Sequence, residues 1–415
     1  MSWGEPVSLE RVQQGLELAR SLGWWGPEHR RLLFHDLQRV TAHIGELRAA
    51  FPDDAVHGVA IKANPLVELL RVMVEAGAGL EAASWEEVQC AVAAGCPGDR
   101  IIFDSPAKST AELEQALELG VWLNTDNEAE LQRVAALGPR SARIGLRVNP
   151  QIGAGRIGIT STVGKGSKFG EPLQRAGELA QRYPFLTGLH VHTGSQGCGL
   201  ELLGKAAQAT DQAVSDLGLQ WLDVGGGLPV RYTAADPEPP TVQDWADALS
   251  GLDSWGKRPI LTELGRSLQA GSGWAVSRIE AVKEVAGRPL YVVHLGADFL
   301  LRRVYRPDDW DHRMVVLDPQ GRPKSGRVQA DVGGPLCFSG DLLARDRSLA
   351  PAEPGDLLLI RDTGAYTLSM WSRHCSRAQP PVLGLWSDRA QPLFAGESVQ
   401  DVVRAWSLQP GTPAP

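Results

Sequence analysis

Between residues 55 and 270, short β-branched or apolar runs alternate with longer stretches whose apolar positions recur at helical spacing, the pattern of repeated βα units. Eight runs can be counted: VHGVAIKAN (56–64), GLEAAS (79–84), RIIFDS (100–105), VWLNTDN (121–127), RIGLRVN (143–149), GLHVHTGS (188–195), LQWLDVGGG (219–227) and PILTELGR (259–266). Amphipathic segments such as LVELLRVMVEAG, SWEEVQCAVAAG, STAELEQALELG and EPLQRAGELAQRY follow them, with Ser, Thr or Asn available as N-caps and Gly closing several. Eight strands with crossover helices predict a (β/α)8 TIM-like barrel.

After about residue 275 the grammar changes. SRIEAVKEV, LYVVHLGAD, RMVVLD, GRVQADVGG, DLLLIRDTGAY and PVLGLW are strand-like runs separated by Gly, Pro and Asp turns with little helix between them. They predict a second, antiparallel β domain. The expected division is a barrel over 36–275, a β-rich domain from 1–35 and 276–405, and a disordered Pro-rich tail over 406–415.

Composition narrows the function. The 415 residues are 43% hydrophobic and 22% charged, which excludes a disordered or coiled-coil chain as a whole. The net charge of -8 supplies no basic field for nucleic acid or an anionic membrane. Five cysteines without a CxxC spacing argue against a disulfide framework and against a structural metal site. No basic segment followed by an apolar run opens the chain, and no run approaches about 18 apolar residues. The expectation is a soluble, cytoplasmic protein with a small-molecule substrate.

In a barrel the active site forms at the C-terminal ends of the strands. Lys62 ends the first run in an apolar context, where desolvation would favour the neutral amine that Schiff-base chemistry needs; a surface lysine is the alternative. Gly225, Gly226 and Gly227 close the seventh run and Gly265 and Arg266 the eighth, where barrels often hold phosphate; a flexible turn is the plainer reading. Glu263 could salt-bridge a neighbour or hold a proton on a heteroaromatic nitrogen. His192 and Ser195 present an imidazole and a hydroxyl after the sixth run, with a core histidine as the alternative.

Together these residues resemble the fold-type III pyridoxal-phosphate decarboxylases, the group of diaminopimelate and ornithine decarboxylases, whose architecture is the alanine racemase-like barrel plus β domain. VAIKANP resembles the cofactor-lysine motif, SKFG (167–170) a barrel-loop motif, HVHTGSQ the ring-stacking histidine motif, GGG the phosphate loop and ELGR the usual EPGR. GGPLCFSGD and DTGAYT resemble the two β-domain segments that complete the site. The resemblance implies pyridoxal 5'-phosphate as cofactor, held by Lys62. Glu81 would stand near that lysine, Glu263 would hold the proton on the ring nitrogen and His192 would stack on the ring. Ser195, Gly225 to Gly227, Gly265, Arg266 and Tyr366 would hold the phosphate. It also implies that Cys337 returns a proton to Cα and that Asp341 contacts a distal amine, both from the partner subunit of a homodimer. Cys90, Cys96, Cys198 and Cys375 are read as small buried apolar side chains.

Three departures bear on the substrate. Leu264 replaces the usual proline, Glu81 the common aspartate, and Phe338 stands where diaminopimelate decarboxylases usually carry glutamate. Without that glutamate a charged distal end loses a strong partner, so meso-diaminopimelate is disfavoured and another amino acid expected. Arg302, Arg303 and Tyr305, followed by Arg306, fall where the family binds a distal carboxylate, with a solvated charge cluster as the alternative. A racemase on the same scaffold and a catalytically inactive relative are the rival functions. The first would carry a tyrosine in place of Cys337, and the second need not keep Lys62, Cys337, Asp341 and Tyr366 together.

Overall fold

A computed structural model describes residues 5–233 and 236–408. The described chain divides into two compact units: residues 39–231 with 237–269, and residues 5–38 with 232, 233 and 236 and residues 270–408.

The first unit is a closed ring of parallel strands: β1 (Val56–Ala60), β2 (Gly79–Ala82), β3 (Ile101–Phe103), β4 (Trp122–Thr125), β5 (Arg143–Asn149), β6 (Leu186–His190), β7 (Trp221–Asp223) and β8 (Ile260–Thr262). Each pairs in parallel with the next, and β8 returns to β1 through Leu261 opposite Val56 and Thr262 opposite His57. All eight expected runs contain a strand. Seven of the strands are shorter than their runs because the polar residues that close those runs lie beyond the last ladder bond; Arg143–Asn149 fills its run, and Leu186–His190 begins two residues before its own. A two-residue strand, Glu171–Pro172, pairs with β5 outside the ring.

The helices between strands begin where the sequence supplies caps. Ser84 accepts from Glu87 N, Asn127 accepts from Glu130 N, and Ser109 with Glu112 forms a reciprocal box. Gly120, at φ +72, ends the Thr110–Leu119 helix in the left-handed region. Inside the ring Trp221 packs against Ile102, Trp122 and Leu261. Its indole takes space that glycine leaves free: a Cβ on Gly188 or Gly145 would lie 2.1 or 2.3 Å from it.

The second unit holds a nine-stranded sheet built from Arg31–Asp36, Gly273–Val285, Arg288–Val293, Met314–Leu317, Val328–Gly333, Leu342–Leu349, Leu357–Arg361, Val382–Leu385 and Ala390–Phe394. Most pairings are antiparallel, as expected, but Arg31–Asp36 runs parallel to Val382–Leu385, and Arg288–Val293 parallel to Val328–Gly333. The helix Leu9–Ser21 buries Val12, Leu16 and Ala19 in the same apolar cluster as Phe34, Trp274 and Leu359. Phe34 and Trp274 stack at 5.2 Å. The strands Leu342–Leu349 and Ala390–Phe394 and the helix Val399–Ala405 had no counterpart in the sequence reading. Of the expected tail, residues 409–415 lie outside the described residues. No helix among the described residues is long and apolar enough to cross a membrane.

Candidate active site

The barrel gathers its charged side chains at the C-terminal strand ends. Lys62 sits in a tight turn, Ile61–Ala63, immediately after β1. Its Nζ donates to Glu81 Oε1 at 2.5 Å and also meets Oε2. Glu81 lies at the end of β2, whose ladder sets it beside Ala60 of β1, and it is wholly buried. Asp104, just past β3, is buried beside it. Burial, then the Asp104 charge, hold the Glu81 carboxyl well above the usual carboxylate range, against the pull of Lys62. Two carboxyls this close in a buried place share a proton, because both cannot keep a charge there.

Glu263 follows β8, next to β1 in the ring. His192 Nδ1 lies 3.1 Å from Glu263 Oε2, and His190 Nε2 lies 3.5 Å from Oε1, a charge contact rather than a hydrogen bond. Burial opposes charge on Glu263, but His190 and His192 outweigh it and keep the carboxyl well below its ordinary range. Burial likewise opposes charge on His190, and Glu263 with Asp223 raise its pKa in spite of that. His192 goes the other way: burial dominates and lowers it. The barrel therefore keeps Glu263 ionised, beside a His190 that holds its proton more tightly than usual and a His192 that holds it less tightly. These three residues could also ligate a cation, their nearest ligand atoms lying within 4.8 Å of one another. No separate metal-binding group is found among the described residues.

Asp223, at the end of β7, accepts from Asn124 Nδ2 and Gly225 N, both at 2.9 Å. Burial first, then Glu263, push its pKa up to about 7. A carboxyl with a raised folded pKa binds its proton more tightly native than unfolded, so stability falls as pH rises from about 4 to about 7. Asp223→Asn removes that ionisation. Unfolding free energies at pH 5 and pH 8 are expected to differ less for the variant than for the wild type, by up to a few kcal/mol at about 1.4 kcal/mol per pKa unit. Equal differences in the two proteins would show that Asp223 does not titrate in this range.

The glycine loop after β7 is fixed by its neighbours. Gly225, at φ +65, donates to Asp223, and Gly226 N lies 3.3 Å from His192 Nδ1. Glu263 N donates to Gly225 O at 2.8 Å, and a Cβ on Gly226 would lie 2.1 Å from Glu263 O. The glycines thus let the loops after β7 and β8 touch backbone to backbone. Within that loop the Gly225 N–H is taken by Asp223, whereas the Gly226 N–H faces a His192 Nδ1 that is already engaged with Glu263 Oε2. Arg266 Nε and Nη2 each lie 3.3 Å from Ser195 Oγ, so a guanidinium and a hydroxyl stand together beyond β6 and β8, with Gly265 buried before them.

In the second unit, Cys337 is exposed and Phe338 half-buried in the loop 334–341. Phe338 stacks on Tyr305 at 6.1 Å and meets His374 edge-on at 5.9 Å. Asp341 does not offer a free carboxylate. It is buried, Oδ1 accepts from Ala297 N at 2.6 Å, and Oδ2 accepts from Leu336 N at 2.7 Å. Its expected role as amine ligand is corrected to that of a brace under the loop. Arg303 is committed to Asp311 at 3.1 Å, and Arg306 pairs with Asp309 at 2.5 Å. Arg302 lies over the rings of Trp310 and Tyr366, each at 4.8 Å. Tyr366 itself has φ 57, a left-handed backbone rare outside glycine. Cys375 is exposed, contrary to the expected buried residue; Cys96 and Cys198 are buried and Cys90 half-buried.

Sequence reading passed over His190, Asp104 and Asp223. Each had a signal: His190 ends the sixth strand two residues before His192, and the two aspartates directly follow the apolar residues of the third and seventh runs.

Comparison with known proteins agrees with this geometry. Residues 37–270 match the family described as pyridoxal-dependent decarboxylase, pyridoxal binding domain. The chain is 31% identical over 371 residues to the diaminopimelate decarboxylase of Methanothermobacter thermautotrophicus, covering 84% of each chain. It is 32% identical over 392 residues to that of Pseudomonas aeruginosa, covering 89% of this chain and 92% of the relative. The crystal structure of the Helicobacter pylori diaminopimelate decarboxylase complexed with L-lysine superposes with a TM-score of 0.83 at 30% identity, over 93% of this chain and 98% of that one.

Proposed function

This chain belongs to the pyridoxal-dependent decarboxylases, and from that premise we propose which of its residues do the work and which amino acids it takes. It is a carboxy-lyase of fold type III that uses pyridoxal phosphate. The barrel residues fit that group. A lysine amine stands over a buried acid, a second buried acid has an oxygen, Glu263 Oε1, without a hydrogen-bond partner, and Arg266 with Ser195 forms an anion-binding end. When bound, the cofactor supplies the electron sink that makes loss of an α-carboxylate possible.

Lys62 is the residue that would hold the cofactor, with Glu81 orienting its Nζ. Glu263, kept ionised by His190, holds a proton on the ring nitrogen; a neutral residue there would not. His192, whose pKa burial lowers, would offer an imidazole face to the ring. Ser195, Arg266, Gly265, Gly226 and Gly227 would bind the phosphate from the barrel, and Tyr366 would add its hydroxyl. Cys337 delivers the proton that replaces CO2 on Cα, and it comes from the partner subunit of a homodimer. The observation that carries this reading is the placing of Lys62 and Glu263 at the ends of adjacent strands, with His192 bonded to Glu263.

For the substrate, we propose an amino acid whose distal end is apolar or aromatic. Phe338 belongs to an aromatic cluster with Tyr305 and His374, and Asp341, the nearest acid in its loop, is used by the backbone. A distal ammonium would therefore lack a charge-assisted hydrogen bond, typically about 1.5 to 3 kcal/mol, or roughly ten- to a hundredfold in kcat/KM. The competing reading is meso-diaminopimelate, favoured by the names of relatives at 31 and 32% identity. Steady-state kinetics on a panel of amino acids, measuring released CO2, separate the two. The expected result is slow turnover of meso-diaminopimelate, improved about tenfold or more by Phe338→Glu relative to the best substrate. Efficient turnover by the unaltered enzyme establishes the competing reading.

A further inference from the structure

Two of the five cysteines stand apart from the others. Cys337 and Cys375 are exposed, and Cys337 N–H donates to Cys375 Sγ at 3.5 Å. The other three are buried or half-buried, and burial raises each of their pKa values above the ordinary thiol value. The sulfur of Cys375 is thus held against the backbone of Cys337, one bond from that residue's Cα, and a turn about χ1 of Cys337 brings its own sulfur towards it.

Neither loop is loose. The loop 334–341 is pinned by Asp341, whose carboxylate accepts from Ala297 and Leu336 and whose carbonyl accepts from Gly334 N at 2.9 Å. The turn that carries Cys375 is held by Arg373, bidentate to Glu397 at 2.8 and 2.6 Å, and by Arg377, bonded to Asp298 and to His294 O at 2.9 Å each. Within it Cys375 and Ser376 take φ values of 57 and 50, two consecutive non-glycine residues in the left-handed region. Such a backbone persists only where its surroundings impose it. Two exposed thiols stand on braced loops, with the sulfur of one already at the backbone N–H of the other, an arrangement in which a disulfide would need little backbone movement to close.

We propose that Cys337 and Cys375 are a modification site, closing to a reversible intramolecular disulfide under a hydroperoxide. The Cys337 thiolate attacks a peroxide oxygen and the O–O bond breaks, giving Cys337 sulfenic acid and hydroxide, which takes up a proton to leave as water. The Cys375 thiolate then attacks that sulfur and expels hydroxide, which takes up a proton to leave as a second water. Two thiols are oxidised by two electrons and one hydrogen peroxide is reduced. The bond removes the thiol that Cys337 needs for protonating Cα, so the enzyme is switched off until a dithiol reduces it; that consequence rests on the role given to Cys337 above. Cys375 serves as resolving residue and also guards Cys337 against irreversible oxidation.

The test treats holoenzyme with stepwise hydrogen peroxide, blocks remaining thiols by alkylation, and maps peptides without reduction. A peptide pair linked through residues 337 and 375 is expected to rise as activity falls, and dithiothreitol to restore most of the activity. Cys375→Ser is expected to keep reduced activity within about twofold and to lose the recovery, because Cys337 then proceeds to the sulfinic acid. Absence of the linked pair while Cys337 is oxidised overturns the proposal, as does full recovery of the Cys375→Ser enzyme. A linked pair that forms with activity intact overturns the switch and, separately, the role of Cys337 as proton donor.

Discussion

Lys62→Ala is expected to lower kcat by about a thousandfold or more, with the protein still folded. The nucleophile of a covalent assembly cannot be replaced by its neighbours, and removing it costs far more than removing a residue that orients it. Lys62 has no substitute nearby: the group beside it is Glu81, an acid, and Lys108, the closest buried lysine by sequence, is tied to Glu130 at 2.9 Å. Lys62→Arg separates charge from chemistry. It preserves a cation for Glu81, so it is expected to retain the thermal midpoint better than alanine does, and to be equally inactive. The alanine variant also leaves Glu81 and Asp104 buried without their cation, which predicts a lower thermal midpoint at neutral pH than at acid pH. Retention of more than about a tenth of wild-type turnover by either variant contradicts the assignment.

The second large effect concerns assembly. Cys337 and Lys62 lie in different compact units, and the proposal gives each active site one residue from each of two chains. Lys62→Ala and Cys337→Ala homodimers are then both inactive. Mixed and allowed to exchange at random, half of the dimers carry one variant of each kind, and each of those has one intact site of two. Activity should therefore climb from near zero to about a quarter of wild type. The gain depends on exchange, so mass spectrometry of differently tagged subunits has to show heterodimers first. Heterodimers present without recovered activity would contradict a shared site, and place both residues of each site in one chain.

What could be read in advance follows the range of the interactions. The eight barrel strands are local patterns, and each run holds its strand. Lys62, His192 and Glu263 carry signals within a few residues. Glu81 meeting Lys62, and Asp104 meeting Glu81, are contacts between neighbouring strands, invisible in any window along the chain. The parallel pairing of Arg31–Asp36 with Val382–Leu385 joins segments some 350 residues apart. No alternation of side chains encodes a partner so distant. Asp341 shows how a glycine could have warned: a Cβ on Gly334 or Gly296 would fall 2.3 or 2.5 Å from its carboxylate. Those glycines exist so that an acid can fold under the loop, whereas the sequence pattern alone suggested an acid facing a substrate. Cys375 is exposed because its turn is set by Arg373 and Arg377 reaching distant acids, Glu397 and Asp298.

The assignment of Lys62 as the residue that holds the cofactor underlies every role given to the others, and chemical trapping tests it without reference to the substrate. Purified holoenzyme is reduced with borohydride, digested, and its peptides sequenced by mass spectrometry. The phosphopyridoxyl group is expected on Lys62, in the peptide that contains VAIKANP. Its recovery on any other lysine, or its absence from a protein that releases CO2 from an amino acid, would contradict the site described.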